Sequence, residues 1–232
     1  MGHSSEPDPA ERPSGTVHDD GTHDAGEPHP PYRFRSASGP WLAGFVIVLA
    51  AFCAVDLFAQ GGLRFGFRWL ATCGFIAVGA WAVFWSPRLV VADDGVAVRN
   101  VARTFLVPWA AIELIDTKWS LTLVTAGRRV TAWAAPAPSR RAARRATPDD
   151  VRHLPRSAYG PGRSVRPGDL ASAPSGQAAI VLRERWERLR DAGRLGARGR
   201  AGAPEVVARW RRGVLAALVG LAVVAVLAGL LV

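Results

Sequence analysis

The chain has 232 residues, with 29 Lys or Arg against 19 Asp or Glu, and its formal net charge is +10 at pH 7. Its two cysteines, Cys53 and Cys73, lie in apolar stretches without a CxxC partner, which favours lipid-facing or helix-packing thiols. No structural disulfide is expected in the middle region, which has no cysteine. Four of its five histidines lie in the first forty residues. The rest of the chain therefore has few residues that could act as a histidine general base or form a metal site.

Residues 1–39 differ in composition from the rest of the chain. Acidic residues are mixed with many Pro, Gly and Ser, and almost nothing apolar is available for burial. We therefore predict a disordered acidic tail. Its histidines could suggest a metal site, but their spacing is irregular and no cysteine joins them: His3, His18, His23 and His29. We predict no metal ion and no cofactor.

Residues 40–85 contain two apolar segments, 40–57 and 69–85, each at the short end of the length range for a helix that spans a bilayer. The connector, residues 58–68, carries Gln60, two glycines and two arginines and favours a tight turn. The pattern predicts a transmembrane helical hairpin. A cleaved signal peptide is disfavoured, because a long polar stretch precedes the first segment and no Ala-x-Ala-like site follows it.

Residues 213–232 form a third apolar run without a charged or polar side chain. At 1.5 Å per residue, a helix of this length crosses a hydrocarbon core of about 30 Å. Arginines flank one side of every span: Arg33, Arg35, Arg88, Arg209, Arg211 and Arg212. The positive-inside bias then predicts a cell-membrane protein with the N-terminus and middle domain in the cytoplasm and the C-terminus outside. Arg64 and Arg68, in the connector, oppose this bias but are outnumbered.

Residues 86–136 show a β pattern. Short apolar runs alternate with turn residues such as Asp93-Asp94-Gly95, and they lie at 88–92, 96–101, 104–107, 112–115, 121–124 and 130–134. This spacing predicts a small antiparallel barrel or sandwich. Trp109, after Pro108, is expected to pack over one end rather than to stack on a ligand.

A core of about fifty strand residues is thin, and residues 177–193 are predicted to cap it as an amphipathic helix. Ala178, Leu182, Trp186 and Leu189 share one helical face opposite mixed charges. The alternative is a helix lying on the lipid surface, but the apolar stripe is narrow and the polar face has both signs. Trp186 is therefore expected in the core.

Three motifs carry a resemblance to a known family: PRLVVADDGV (87–96), VPWAAI (107–112) and RRVTAW (128–133). The chain resembles the bacterial pleckstrin-homology-like (PH-like) domain of actinobacterial membrane proteins, of the low-molecular-weight protein antigen 6 type, over about residues 40–136 and the helix near 177–191. The resemblance implies a helical hairpin, then a curved antiparallel barrel closed by a helix, with no catalytic residues. The predicted fold class is an α+β membrane protein with this hairpin, a capped PH-like β-barrel and a C-terminal transmembrane helix.

Residues 137–176 are rich in Arg, Pro and Gly, without a regular apolar face, and predict a flexible basic loop; residues 194–212 are read as a basic linker. The loop's clustered arginines could contact anionic lipid headgroups: Arg140, Arg141, Arg144 and Arg145. They could also merely keep the loop soluble and inside. Nucleic acid is disfavoured as a partner, because Tyr159 is the loop's only aromatic residue and no recognition helix accompanies the charge.

No catalytic motif appears, so we predict a protein that is not an enzyme. Asp56, the one acid within an apolar span, is a candidate proton or helix-pairing group that lies close enough to the connector to reach water. The sequence favours a scaffold or binding module at the inner face of the cell membrane, with anionic lipid and a possible membrane or cytoplasmic protein as partners. The alternative is an accessory or regulatory subunit of a membrane transport or envelope-synthesis complex.

Overall fold

The computed structural model describes residues 31–196 and 204–230. The strands in these ranges are β1 (Tyr32–Phe34), β2 (Arg88–Val91), β3 (Gly95–Arg99), β4 (Arg103–Pro108), β5 (Leu114–Asp116), β6 (Ser120–Thr125), β7 (Arg128–Pro136) and β8 (Val207–Trp210). The helices are α1 (Gly39–Ala80), which continues as a π turn over Trp81–Trp85, and α2 (Arg140–Ala143), α3 (Asp149–Arg152), α4 (Pro174–Asp191) and α5 (Arg212–Leu230).

The strands form two antiparallel sheets. The larger sheet has the order β1-β2-β3-β4-β8, and the smaller one has the order β5-β6-β7. Strand β7 contacts β2 and β3 and so joins the two sheets. The six strands predicted between residues 86 and 136 are confirmed, because alternating apolar residues and turn signals are local properties of the sequence.

Both edge strands of the larger sheet were missed by the sequence analysis. Strand β1 lies within the predicted disordered tail, yet Arg33 is paired with Val90 of β2. Strand β8 lies within the predicted basic linker, yet Phe105 of β4 is paired with Ala208. Each segment is too short to show a pattern of its own, and each is ordered by a partner strand that is distant in sequence.

The core lies between the sheets and α4. It includes Leu89, Val98 and Leu123 from the strands, together with Leu182 and Trp186 from the helix. Helix α4 is amphipathic as the sequence predicts, and its apolar face packs on strands β6 and β7. The expectation that Trp186 is a core residue is confirmed, and Trp109, which was expected to pack over one end of the barrel, is also buried in the core.

Helix α1 departs from helical geometry at Gly62, where φ is 71° and ψ is −177°. The predicted connector, residues 58–68, is therefore helical on both sides of a single glycine. The two ends of the segment meet, since a Cβ on Gly39 would lie 2.3 Å from the carbonyl oxygen of Phe84. Only a residue without a side chain allows that approach.

Two helical segments, Gly39–Trp85 and Arg212–Leu230, are long and apolar enough to cross a membrane. Their large apolar side chains are mostly exposed, unlike those of a core helix. Helix α5 runs antiparallel to the second half of α1, because Leu221 approaches Gly74 and the carbonyl oxygen of Gly229 accepts a hydrogen bond from Arg68.

Candidate functional site

The described ranges contain no group of three or more His, Cys, Asp or Glu residues that could hold a metal ion. The four histidines of the predicted tail lie outside those ranges. Asp56, the acid within the first apolar segment, accepts a hydrogen bond of 2.6 Å from Gln60 one helical turn further on. Asp93 at the β2–β3 turn forms an ion pair with Arg185 of α4, an arrangement that ties the turn to the helix.

The arginines singled out for headgroup contact lie on and just after α2. Arg140 and Arg141 belong to the helix, and Arg144 and Arg145 follow it. The side chains of Arg141, Arg144 and Arg145 are exposed. They are available to an anionic surface, and their role as lipid contacts stays a prediction.

The segment 137–176 contains α2, α3 and three short 3₁₀ turns, where the sequence predicts no regular structure. Asp169, at its C-terminal part, is buried and accepts hydrogen bonds of 2.6 Å each from Thr117 and Arg183. Arg183 of α4 also donates to the carbonyl oxygen of Ile115 at 2.9 Å. This network joins the segment, the smaller sheet and α4, and it was not foreseen because its members are far apart in sequence.

The two core tryptophans also use their indole N–H groups. Trp109 donates to the carbonyl oxygen of Ala92 at 3.0 Å, and Trp186 donates to that of Ile112 at 3.2 Å. Both rings are buried, and buried indole nitrogens are normally satisfied in this way. Both rings therefore contribute to the packing and hydrogen bonding of the core.

One end of the larger sheet is the place where the chain passes between strands and apolar helices. We call this end the helix junction and define it by Arg35, Arg88, Arg99 and Arg211 with Trp81, Trp85 and Trp210. The chain crosses it three times: from β1 into α1, from the π turn into β2, and from β8 into α5. Each connection has only a few residues, so the sheet is held directly against the helices.

The tryptophans of the helix junction are paired with arginine side chains. Arg103, at the start of β4 beside the junction, places its guanidinium carbon 3.6 Å from the ring centroid of Trp210. Arg35 lies 5.7 Å from the Trp85 centroid, and Arg211 lies 5.8 Å from that of Trp81. Such cation–π contacts orient the planar guanidinium groups without neutralising their charge.

The four arginines of the helix junction also approach one another. Arg88 and Arg99 are directly opposite in the β2–β3 pair, and Arg35 follows Phe34, which is opposite Leu89. Burial lowers the pKa of Arg99, and the charges of Arg88 and Arg35 lower it further. Burial likewise lowers the pKa of Arg211, followed by the charges of Arg99 and Arg88. The four charges thus repel one another in the folded protein.

Sequence reasoning used Arg35, Arg88 and Arg211 only as markers of orientation and did not consider Arg99. Their convergence depends on the register of β1 with β2 and on the position of β8, neither of which was predicted. A partial signal was present, because arginines flank every apolar segment on the same side.

Residues 86–166, about a third of the chain, match the family model described as "Bacterial PH domain". The matched range contains β2 to β7, α2 and α3 and ends before α4. It agrees with the PH-like domain expected from the three motifs. No significant match was found among curated proteins or solved structures.

Proposed function

We propose that the protein is a membrane-anchored PH-like module that works by binding rather than by catalysis, at the inner face of the cell membrane. The observation that carries this proposal is the continuity of strands and helices at the helix junction. Strand β1 leads into α1 and β8 leads into α5, and both strands are edges of the larger sheet. The strands that form the two edges of the larger sheet are therefore directly continuous with the helices that anchor the domain.

The membrane part of the proposal is a helical hairpin formed by α1 and the π turn, with α5 as a third span. It is supported by the reversal at Gly62, by the contact of Gly39 with Phe84 and by the exposure of the apolar side chains. In lipid these side chains find the apolar surroundings they lack in water.

The orientation is supported by the arginines that collect on the domain side of all three spans. Tryptophans collect there too, which is typical of the headgroup layer. Trp133 is more than half exposed and lines a cleft of about 250 Å³ with Gly39, Phe84 and Pro87. The end of the domain that carries the helix junction accordingly rests on the lipid surface.

The test of anchoring and orientation uses the full chain in its native membrane. Cys53 and Cys73 are replaced by serine, and a single cysteine is introduced by Ser157→Cys on the domain or by Val232→Cys at the C-terminus. An impermeant maleimide added to intact cells is expected to label the second variant alone. Labelling of the first variant would overturn the orientation, and release of the protein by alkaline carbonate would overturn the anchoring.

The binding role is tested by crosslinking and affinity purification of the full-length protein from native membranes. Reproducible capture of a specific cytoplasmic protein supports a scaffold. Co-purification with a permease or an envelope synthase would instead assign the protein to a transport or envelope-synthesis complex as an accessory subunit. The variant in which Cys53 and Cys73 are replaced by serine, carrying the same affinity tag as the wild type, is purified in parallel for comparison.

A further inference from the structure

The arginines of the helix junction have positive charge that the protein does not neutralise. Among residues 31–196 and 204–230, no carboxylate pairs with Arg35, Arg88, Arg99 or Arg211. Like charges directly opposite on neighbouring strands, as at Arg88 and Arg99, are destabilising. An anion from outside the chain would offset the repulsion among these four cations and so stabilise the folded protein.

The hydrogen-bond donors of the cluster are also largely unused. Each guanidinium offers five N–H groups and no acceptor. Arg211 uses its Nη1 for the carbonyl oxygens of Asn100 and Val101, both at 3.1 Å, while its buried Nη2 has no partner. Arg88 and Arg99 are half-buried, and neither makes a hydrogen bond to a described residue through its side chain. Planar, partly desolvated guanidinium groups are suited to bidentate binding of phosphate oxygens.

The position of the cluster limits the source of the anion. Trp81 and Trp85 lie at the end of the second apolar segment, and Trp210 lies just before α5. Indole rings favour the headgroup layer of a bilayer, and the cluster lies at the same level as these rings. An anion at this depth is the phosphate of a phospholipid.

We propose that Arg35, Arg88, Arg99 and Arg211 form a binding site for the phosphate headgroup of an anionic phospholipid. The inference rests on the proposed anchoring in the membrane, and it adds a ligand class and a defined site to it. It differs from a general attraction of basic residues to lipid, because the four arginines lie on or next to four strands, and the pairing of these strands brings them to one end of the larger sheet. Arg140, Arg141, Arg144 and Arg145 are not part of it.

The test compares the full-length protein in nanodiscs of phosphatidylcholine with nanodiscs that also contain phosphatidylglycerol. The variant Arg88→Gln with Arg99→Gln removes the centre of the cluster. The control variant, Arg188→Gln with Arg194→Gln, removes the same charge from exposed positions on and after α4. Thermal unfolding is followed by tryptophan fluorescence, and the lipid that remains bound after detergent extraction is measured by native mass spectrometry.

Phosphatidylglycerol is expected to raise the unfolding temperature of the wild type and of the control but not of the cluster variant. In phosphatidylcholine the cluster variant is expected to be at least as stable as the wild type, since repulsion has been removed. Retention of phosphatidylglycerol should fall by about fivefold for each arginine replaced. A milder variant, Arg99→Lys, keeps the charge but loses bidentate binding and provides an intermediate should the double variant unfold.

Equal stabilisation of all variants by phosphatidylglycerol, or of none, would overturn the site. Inorganic phosphate added to phosphatidylcholine nanodiscs separates the two sources of the anion. Stabilisation by millimolar phosphate alone would assign the cluster to a soluble anion and overturn the lipid proposal. These outcomes leave the anchoring intact, whereas failure of the protein to enter nanodiscs would contradict the proposed function itself.

Discussion

Asp169 and Arg183 form a buried ion pair, with 2.6 Å between Oδ1 and Nη1. The pair lies where the Arg-rich segment, residues 137–176, meets helix α4. The aspartate also accepts a hydrogen bond from Thr117, so one carboxylate joins three parts of the domain. Segment 137–176 is thereby attached to the core at its C-terminal end.

Replacing Asp169 by alanine should destabilise the protein by about 3–5 kcal/mol, because Arg183 would be left buried without a counter-charge. The control is Asp116→Ala, which removes the partner of Arg166 from a more exposed pair and should change stability by about 0–1 kcal/mol. Chemical denaturation of the full chain in detergent measures both. The double variant Asp169→Leu with Arg183→Met should recover most of the loss, and a loss as large as that of Asp169→Ala would contradict this account.

Trp186→Ala should cost about 3–5 kcal/mol, because it removes a buried ring and its hydrogen bond to Ile112. Trp119→Ala is the matched control, since Trp119 is 79% exposed. Its effect should stay within about 0.5 kcal/mol. Equal effects of the two replacements would show that α4 does not pack on the sheets.

Gly39→Val tests whether the two ends of the helical segment Gly39–Trp85 meet. The added side chain would run into the carbonyl oxygen of Phe84, and the resulting overpacking should cost about 1–3 kcal/mol. Gly44→Val is the control, because a Cβ there has no neighbour within 4 Å. The difference in unfolding temperature between the two variants in detergent is the measurement. No difference would argue against the hairpin.

The attachment of the Arg-rich segment should weaken in acid. Hydrogen bonds from the backbone N–H of Thr147 and then from Ser172 hold the pKa of Asp150 below its ordinary value of 3.8. The stabilisation is therefore present above pH 3.8 and is lost as the pH falls through the lower folded-state pKa. Asp150→Asn should abolish this part of the pH dependence of the unfolding temperature. If the unfolding temperature of the variant fell at low pH as much as that of the wild type, this pH dependence would belong to other carboxylates.

Changing Arg140, Arg141, Arg144 and Arg145 to glutamine tests their predicted lipid contact. Near an anionic surface each arginine contributes about 1 kcal/mol. Amide hydrogen exchange in residues 137–148 should be slower in nanodiscs with phosphatidylglycerol than in phosphatidylcholine alone, and the four replacements should remove that difference. If exchange in the wild type is the same in both kinds of nanodisc, the predicted lipid contact is wrong. The arginines would then serve only to keep the segment soluble.

The sequence predicted the elements whose signals are local. Alternating apolar residues marked β2 to β7, and the spacing of Ala178, Leu182 and Trp186 marked α4. Strands β1 and β8 could not be predicted, because segments of three and four residues show no pattern of their own and become strands only when a distant partner is present. The same dependence concealed the arginine cluster. Arg88 and Arg99 are eleven positions apart, and they are opposite each other because of the register that the turn between β2 and β3 sets.

The short connections at the helix junction have a consequence for any attempt to prepare the domain in soluble form. A truncation that removes β1 (Tyr32–Phe34) would leave β2 with unpaired backbone groups. A truncation that removes β8 (Val207–Trp210) would do the same to β4. Such open edges recruit other chains and promote aggregation. A well-behaved soluble version must therefore retain residues 32–34 and 207–210 while losing the spans beside them, with a designed loop in place of the hairpin.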